Sequence, residues 1–182
     1  MREKPICLQK TIVAKSRLFT IEEMHLQFSN GEKRIFERIP TRGFGSVLVI
    51  ALTAHETLLL VKEYASGTDS YELGFPKGII EKGETVFQAA NRELQEEIGF
   101  AAKEFHFIKR VTLAPAYFAA NMEIVFAREL YPSSLQGDEP EPPELVEWPL
   151  YASDELLQRP DFTEARSIAA LLLIKQWLKR EV

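Results

Sequence analysis

The chain has a single cysteine, Cys7, so an internal disulfide is excluded and stability has to come from a packed core. The start Met1-Arg2-Glu3-Lys4-Pro5 lacks the apolar stretch of a secretory signal, which makes a reduced, cytoplasmic compartment the expectation. Long hydrophobic runs are also missing. The longest, Ile168 to Ile174, falls far short of the roughly 20 residues that span a bilayer, so no membrane partner is expected. Nor is there a surplus of positive charge: Lys and Arg number 22 against 27 Asp and Glu, a net charge of -5. A phosphate-rich polymer would meet repulsion over much of such a surface, and nucleic acid is not the expected partner. Internal repeats, low-complexity tracts and linker-like shifts in composition are absent. What is present is 182 residues, 46% hydrophobic, enough for one sizeable core. A single domain over residues 1–182 is expected.

Periodicity gives an α+β pattern. Met24, Leu26 and Phe28 alternate along Phe19 to Phe28, Lys33 to Ile39 reads as the partner strand, and Asn30-Gly31 between them signals a hairpin turn. Val47 to Leu52, Thr57 to Tyr64 and Tyr71 to Phe75 are further strands, followed by a loop through Gly78 and Gly83. Thr85-Val86-Phe87-Gln88 has the form of a capping box. Val86, Ala90, Leu94 and Ile98 make a stripe at i, i+4, and Gly99 suits the position just past the helix end. Strands return at Phe105 to Leu113 and Met122 to Leu130. The segment Gly137 to Glu144, rich in Pro and acid, reads as an exposed loop, with a short strand at Val146 to Trp148. A brief helix at Asp154 to Gln158, a break at Pro160 and a long helix from Thr163 to Lys179 complete the chain. Phe36, Phe44, Tyr64 and Tyr117 could stack on an adenine, but core packing is the preferred reading.

The central helix is unfavourable as a plain surface helix. Glu93, Glu96 and Glu97 crowd one side of its last turns, where like charges at i, i+3 and i, i+4 cost roughly 0.2 to 0.5 kcal/mol each. Negative charge there also opposes the helix dipole by roughly 0.3 to 1 kcal/mol. A divalent cation would offset this, and Mg²⁺ takes one or two carboxylates while keeping waters and substrate phosphates. Gly78 in the preceding loop can turn tightly and offer a carbonyl to the same ion. Arg92 is placed to pair with Glu84 and hold loop against helix. Judged on the three glutamates alone, a solvated acidic helix fits slightly better.

The whole segment decides otherwise. Gly78, Glu84, Arg92, Glu93, Glu96, Glu97 and Gly99 stand at G-x5-E-x7-R-E-U-x-E-E-x-G-U, with Leu94 and Phe100 in the apolar slots. Average residue usage makes that coincidence a matter of about 10⁻⁹ per starting position. The pattern is the Nudix box, and the chain is identified by it as resembling the Nudix hydrolases. The resemblance implies an α/β/α sandwich around a mixed β-sheet, here with an N-terminal antiparallel hairpin, and hydrolysis of a nucleoside diphosphate linked to another moiety. It implies Glu93 and Glu97 as metal ligands, with Glu96 contributing to metal binding and catalysis, Gly78 nearby, and Glu84, Arg92 and Gly99 structural in the motif.

A narrower similarity, to the ADP-sugar pyrophosphatase branch, runs along most of the chain. It implies substrates such as ADP-ribose, NADH and diadenosine polyphosphates, cleaved to AMP and a phosphorylated second product with Mg²⁺ or Mn²⁺. Arg38, in Ile35-Phe36-Glu37-Arg38, matches a substrate-contacting arginine of that branch. Lys77, in Phe75-Pro76-Lys77-Gly78, replaces its alanine and is a second substrate-binding candidate. Glu63-Tyr64-Ala65 stands where relatives that prefer ADP-ribose read Q-Y-R. The acidic loop matches a D-E-x-E loop, which implies Glu139 as general base and Glu141 as an additional metal ligand, with Glu123 a weaker alternative base. Members of the branch dimerise through exchanged N-terminal strands, so residues 1–40 are expected to make a homodimer. Two other readings stay open: a Nudix-fold module that senses a nucleotide without cleaving it, and a hydrolase of RNA 5′ ends.

Overall fold

The computed structural model describes residues 3–41, 43–137 and 140–181. The chain falls into two compact units, Met1–Arg42 with Thr112–Asn121, and Gly43–Val111 with Met122–Val182.

The smaller unit holds an antiparallel sheet of β1 (Ile6–Lys15), β2 (Thr20–Gln27) and β3 (Lys33–Arg38), in the order β1-β2-β3. The hairpin expected at Asn30-Gly31 is present. Phe28 and Glu32 close it with a 2.9 Å backbone bond, and Gly31 takes a φ of 85° that a side chain would resist. Strand β1 was not expected. It bulges between Cys7 and Gln9 and again between Ile12 and Ala14, and each bulge breaks the period of two that betrays a strand. Its side chains are exposed throughout, so no buried face imposed a pattern.

The larger unit is built on a seven-stranded sheet of order β10-β5-β4-β9-β8, with β6 beside β5 and β7 beside β4. The strands are β4 (Ser46–Leu52), β5 (Thr57–Ala65), β6 (Ser70–Gly74), β7 (Lys77–Ile79), β8 (Phe100–Leu113), β9 (Ala120–Pro132) and β10 (Glu144–Pro149). Strands β4 and β9 run parallel while β4 pairs antiparallel with β5 and β7, so the sheet is mixed. Val47 to Leu52 is buried without interruption because both faces of β4 are covered. Leu48, Ile50 and Leu52 pack on one face with Leu156, Phe162, Ala170, Leu171 and Ile174. Val47, Val49 and Ala51 pack on the other with Ala89, Ala90, Leu94 and Ile98. The expected α/β/α sandwich is therefore present, with α1 (Val86–Glu97) on one side and α2 (Ser153–Leu156) and α3 (Ala165–Glu181) on the other.

Helix α1 starts and stops where its sequence indicates. The Thr85 hydroxyl accepts from the Gln88 N–H at 3.2 Å and the Gln88 side chain accepts from the Thr85 N–H at 2.9 Å, closing the capping box. Gly99 follows the C-cap residue Ile98 with a φ of 73°.

Two expectations are corrected. Gly78 lies in strand β7, paired with Val47, and not in a tight turn; the glycine with left-handed backbone in that stretch is Gly83, at φ 93°. Phe36, Phe44, Tyr64 and Tyr117 are exposed, not core residues, since the core is filled by β4, β5, β9 and the helix faces. Replacing Thr85 by Ala should remove about 1 kcal/mol of stability, measured as a lower urea midpoint with unchanged slope.

Candidate active site

One cavity of about 920 Å³ in the larger unit is lined by Lys77, Gly78, Ile79, Glu81, Arg92, Glu93, Glu96, Glu97, Leu135, Gln136, Gly137, Pro142 and Pro143. Strand β7, the last two turns of α1 and the segment after β9 thus meet at a single place.

Strand β7 and α1 are fitted to each other through Gly78. A β-carbon on Gly78 would occupy the space taken by the Glu93 carboxylate, which is only 6% exposed. Glycine here provides room for a buried acid. The neighbouring Lys77 N–H donates to Glu97 Oε2 at 3.2 Å, so a second glutamate of the helix is anchored to the same strand.

Arg92 joins the parts electrostatically. Its Nε and Nη2 donate to the two oxygens of Glu84 at 2.9 and 3.1 Å, Nη2 also to the Ile79 carbonyl at 2.7 Å, and Nη1 to Glu93 and Glu96 at 2.7 and 2.8 Å. All five N–H groups of the guanidinium are thereby used. The pairing of Arg92 with Glu84 that the motif suggested is present, and the same cation relieves the repulsion between Glu93 and Glu96. Glu84 chiefly, with Glu93 and Glu96, holds the guanidinium well above its ordinary pKa against the opposing effect of burial. The Arg92 hydrogen bonds in turn hold Glu84 below the usual carboxylate range.

The third wall is set by the end of the helix. The Leu135 N–H donates to the Gln95 carbonyl and the Ser133 N–H to the Gly99 carbonyl, each at 3.0 Å, while Gln95 Nε2 reaches Ser133 Oγ at 2.8 Å. The Gln95 carbonyl, left without a partner by the end of α1, and the Gly99 carbonyl just beyond it therefore hold the chain that leads into the acidic loop.

Among the expected site residues, Lys77, Gly78, Glu93, Glu96 and Glu97 come together on this cavity. Glu84 lies behind it as a partner of Arg92. Glu141 does not line it: its carboxylate accepts from the Tyr71 hydroxyl at 2.7 Å and pushes that phenol's pKa up, although the adjacent Pro142 and Pro143 do line the cavity. Glu139 lies outside the described residues. Arg38 belongs to the smaller unit and is engaged by Glu22 at 2.7 Å. Glu123 is buried in β9, with one oxygen bound by Arg110 at 2.6 Å and the other without a hydrogen-bond partner.

Among the described residues, no three His, Cys, Asp or Glu side chains close around a point as a complete metal cage would. Two or three carboxylates on the wall of an open cavity suit a hard divalent cation that keeps waters and substrate oxygens as its other ligands. The donor set fits such an ion.

Sequence reasoning missed Glu81, Gln136, Pro142 and Pro143 as cavity residues. Glu81 lies inside the variable positions of the box, and Gln136, Pro142 and Pro143 follow a lead-in held by backbone bonds at Ser133 and Leu135 that carry no side-chain signature.

The NUDIX domain family model matches residues 44–172, and the model of the NudE-type Nudix hydrolase N-terminal domain matches residues 5–38. The chain is 50% identical to ADP compounds hydrolase NudE of Escherichia coli (strain K12), over 97% of this chain and 95% of that protein. It is 26% identical to ADP-ribose pyrophosphatase of Bacillus subtilis (strain 168), over 96% and 98%. A crystal structure of an ADP compounds hydrolase superposes with a TM-score of 0.91 at 49% identity, covering 100% of this chain and 97% of that one.

Replacing Arg92 by Ala should cost roughly 3 kcal/mol near neutral pH, because three carboxylates lose their shared partner in a partly buried place. Glu84 has a lowered pKa when folded, so its share of that stability is complete above the range where an unfolded glutamate titrates. It is lost as pH falls through the lower range where the folded side chain takes up its proton. The gap between wild type and R92A in urea unfolding should accordingly narrow in acid.

Proposed function

This chain belongs to the Nudix hydrolase family, and from that premise we propose that it hydrolyses the diphosphate linkage of ADP-linked compounds, releasing AMP and a phosphorylated second product. The observation that carries the reading is the convergence of Glu93, Glu96 and Glu97 with Lys77 and Gly78 on one cavity. ADP-ribose, NADH and diadenosine polyphosphates are the substrates we put forward. The names of the relatives, an ADP compounds hydrolase and an ADP-ribose pyrophosphatase, support that class.

Glu93 and Glu97, with Glu96 and the backbone at Gly78, would hold Mg²⁺ or Mn²⁺, and Glu141 would join them only on leaving the Tyr71 hydroxyl. Such an ion supplies neutralisation of phosphoryl charge and a lowered pKa for water. The protein's own groups do the rest. The Gly78 backbone leaves room for Glu93 at the cavity wall, and the Lys77 N–H orients Glu97. Arg92 holds Glu93 and Glu96 through one nitrogen and Glu84 through the other two, which fixes the three acids relative to one another. Lys77 is assigned to the substrate's phosphates, and Arg38, on the smaller unit, is kept as a candidate for a phosphate or base contact. Glu139 is assigned as the general base that takes the proton of the attacking water.

We take residues 1–182 to act as one hydrolase domain in which residues 1–40 serve dimerisation. The exposed apolar side chains Ile6, Leu8, Ile12 and Ile35 on the N-terminal sheet support a homodimer, since pairing would remove them from water. A reducing, cytoplasmic setting suits the exposed thiol of Cys7. Among the described residues no helix is long and apolar enough to cross a membrane. No observation specifically favours the sensing module or the RNA 5′-end hydrolase.

The test is release of AMP from ADP-ribose, NADH, diadenosine triphosphate, capped RNA and nucleoside triphosphates, with and without Mg²⁺. Metal-dependent release from the ADP-linked compounds is expected, and none from any compound would end the hydrolase reading. Glu97→Gln should lower kcat by about two orders of magnitude, and Glu139→Gln should do likewise if it is the base. Light scattering should give twice the 20.8 kDa mass of one chain.

A further inference from the structure

Lys77 lines the cavity, and a charged side chain from outside the lining, Glu63, meets it. Lys77 of β7 and Glu63 of β5 form an ion pair, with the lysine ammonium against the glutamate carboxylate. The two strands are not neighbours in the sheet; β7 pairs with Ser46 to Leu48 of β4, and β5 with its far end at Ala51 and Leu52. The contact is therefore made by side chains reaching toward one another, not imposed by strand register. Only 16% of the lysine and 26% of the glutamate side chain is exposed, so protein more than water surrounds the pair.

The pair has a consequence for an anionic substrate. The cavity is lined by Glu81, Glu93, Glu96 and Glu97, and by two cations, Arg92 and Lys77. Every N–H of Arg92 is directed at a protein oxygen, so the guanidinium works as an internal brace. An ammonium carries three N–H donors and can serve a carboxylate and a phosphate oxygen together. A lysine on a flexible four-carbon stem, however, meets a ligand at an entropic cost unless something already holds it in place.

We propose that Glu63 is a positioning residue: it fixes the Lys77 ammonium at the cavity wall, ready for the phosphate chain of the substrate. The inference rests on the diphosphate hydrolase reading above. Glu63 itself touches no substrate, so it acts through ground-state binding and not through the chemical step.

The experiment compares wild type, Glu63→Ala, Glu63→Gln, Lys77→Met and the Glu63→Ala/Lys77→Met double variant, with ADP-ribose and Mg²⁺. E63A should raise KM by about tenfold while kcat stays within about twofold. E63Q, whose amide oxygen still accepts from the ammonium, should recover most of that loss. In the K77M background the E63A change should add nothing, as expected for two residues acting as one unit. An unchanged KM in E63A overturns the proposal. A lower KM overturns it too, because Glu63 would then be competing with the phosphate. An equal rise in KM with and without Lys77 overturns it as well, since the effect would not pass through the lysine. If wild type releases no AMP, the hydrolase reading fails separately. The pair is then judged by calorimetric binding of ADP-ribose, which E63A must weaken by a similar factor or the proposal falls.

Discussion

The arrangement of the site depends on one guanidinium. Glu84, Glu93 and Glu96 would repel one another if left to themselves, and Arg92 is the group whose five donors meet all three and the Ile79 carbonyl as well. A lysine could not replace it, because a point charge lacks the planar fork that binds both oxygens of Glu84 while reaching two further acids. The loop before the helix, the strand before that loop and the helix itself are joined at this one side chain.

The sheet and the helix ends then determine where that acidic cluster faces. Covering both faces of β4 gives the core its stability and places α1 against the half of the sheet that ends in β7. Gly78 matters because the helix brings Glu93 against the strand at that point, and a β-carbon there would displace its carboxylate. The helix terminus completes the cavity, since the orphan carbonyl of Gln95 takes a donor from Leu135 and the Gly99 carbonyl just past the helix takes one from Ser133. A general requirement of helices is thus used to fix the lead-in to the acidic loop.

Much of this was legible in one dimension. The capping box at Thr85, the glycine at 99 and the apolar stripe of α1 are local signals whose geometry follows from the backbone of a single helix. The box spacing also survived unchanged, because Arg92 and Glu84 are brought together by the one helix start between them. Strand β1 was not legible: bulges and full exposure removed both periodicity and burial from its sequence. The role of Gly78 was misread as a turn, since a glycine demanded by a distant side chain looks the same in sequence as one demanded by its own φ. The exposed aromatics Tyr64 and Tyr117 were misread for a related reason, as apolar character says what a residue tolerates and not whether anything covers it.

By itself the sequence determined the class of chemistry, because the whole segment from Gly78 to Phe100 carries the Nudix box, where the three glutamates alone fitted a solvated helix slightly better. The sandwich was implied by the same resemblance, and the structure shows its physical reason: the continuous apolar run of β4 is covered on both faces. Only the tertiary structure decided which groups stand opposite that helix. Glu63 meeting Lys77, Glu93 filling the space at Gly78 and Glu141 resting on Tyr71 are contacts between separate elements. Each depends on how the sheet packs in three dimensions, which local spacing does not encode.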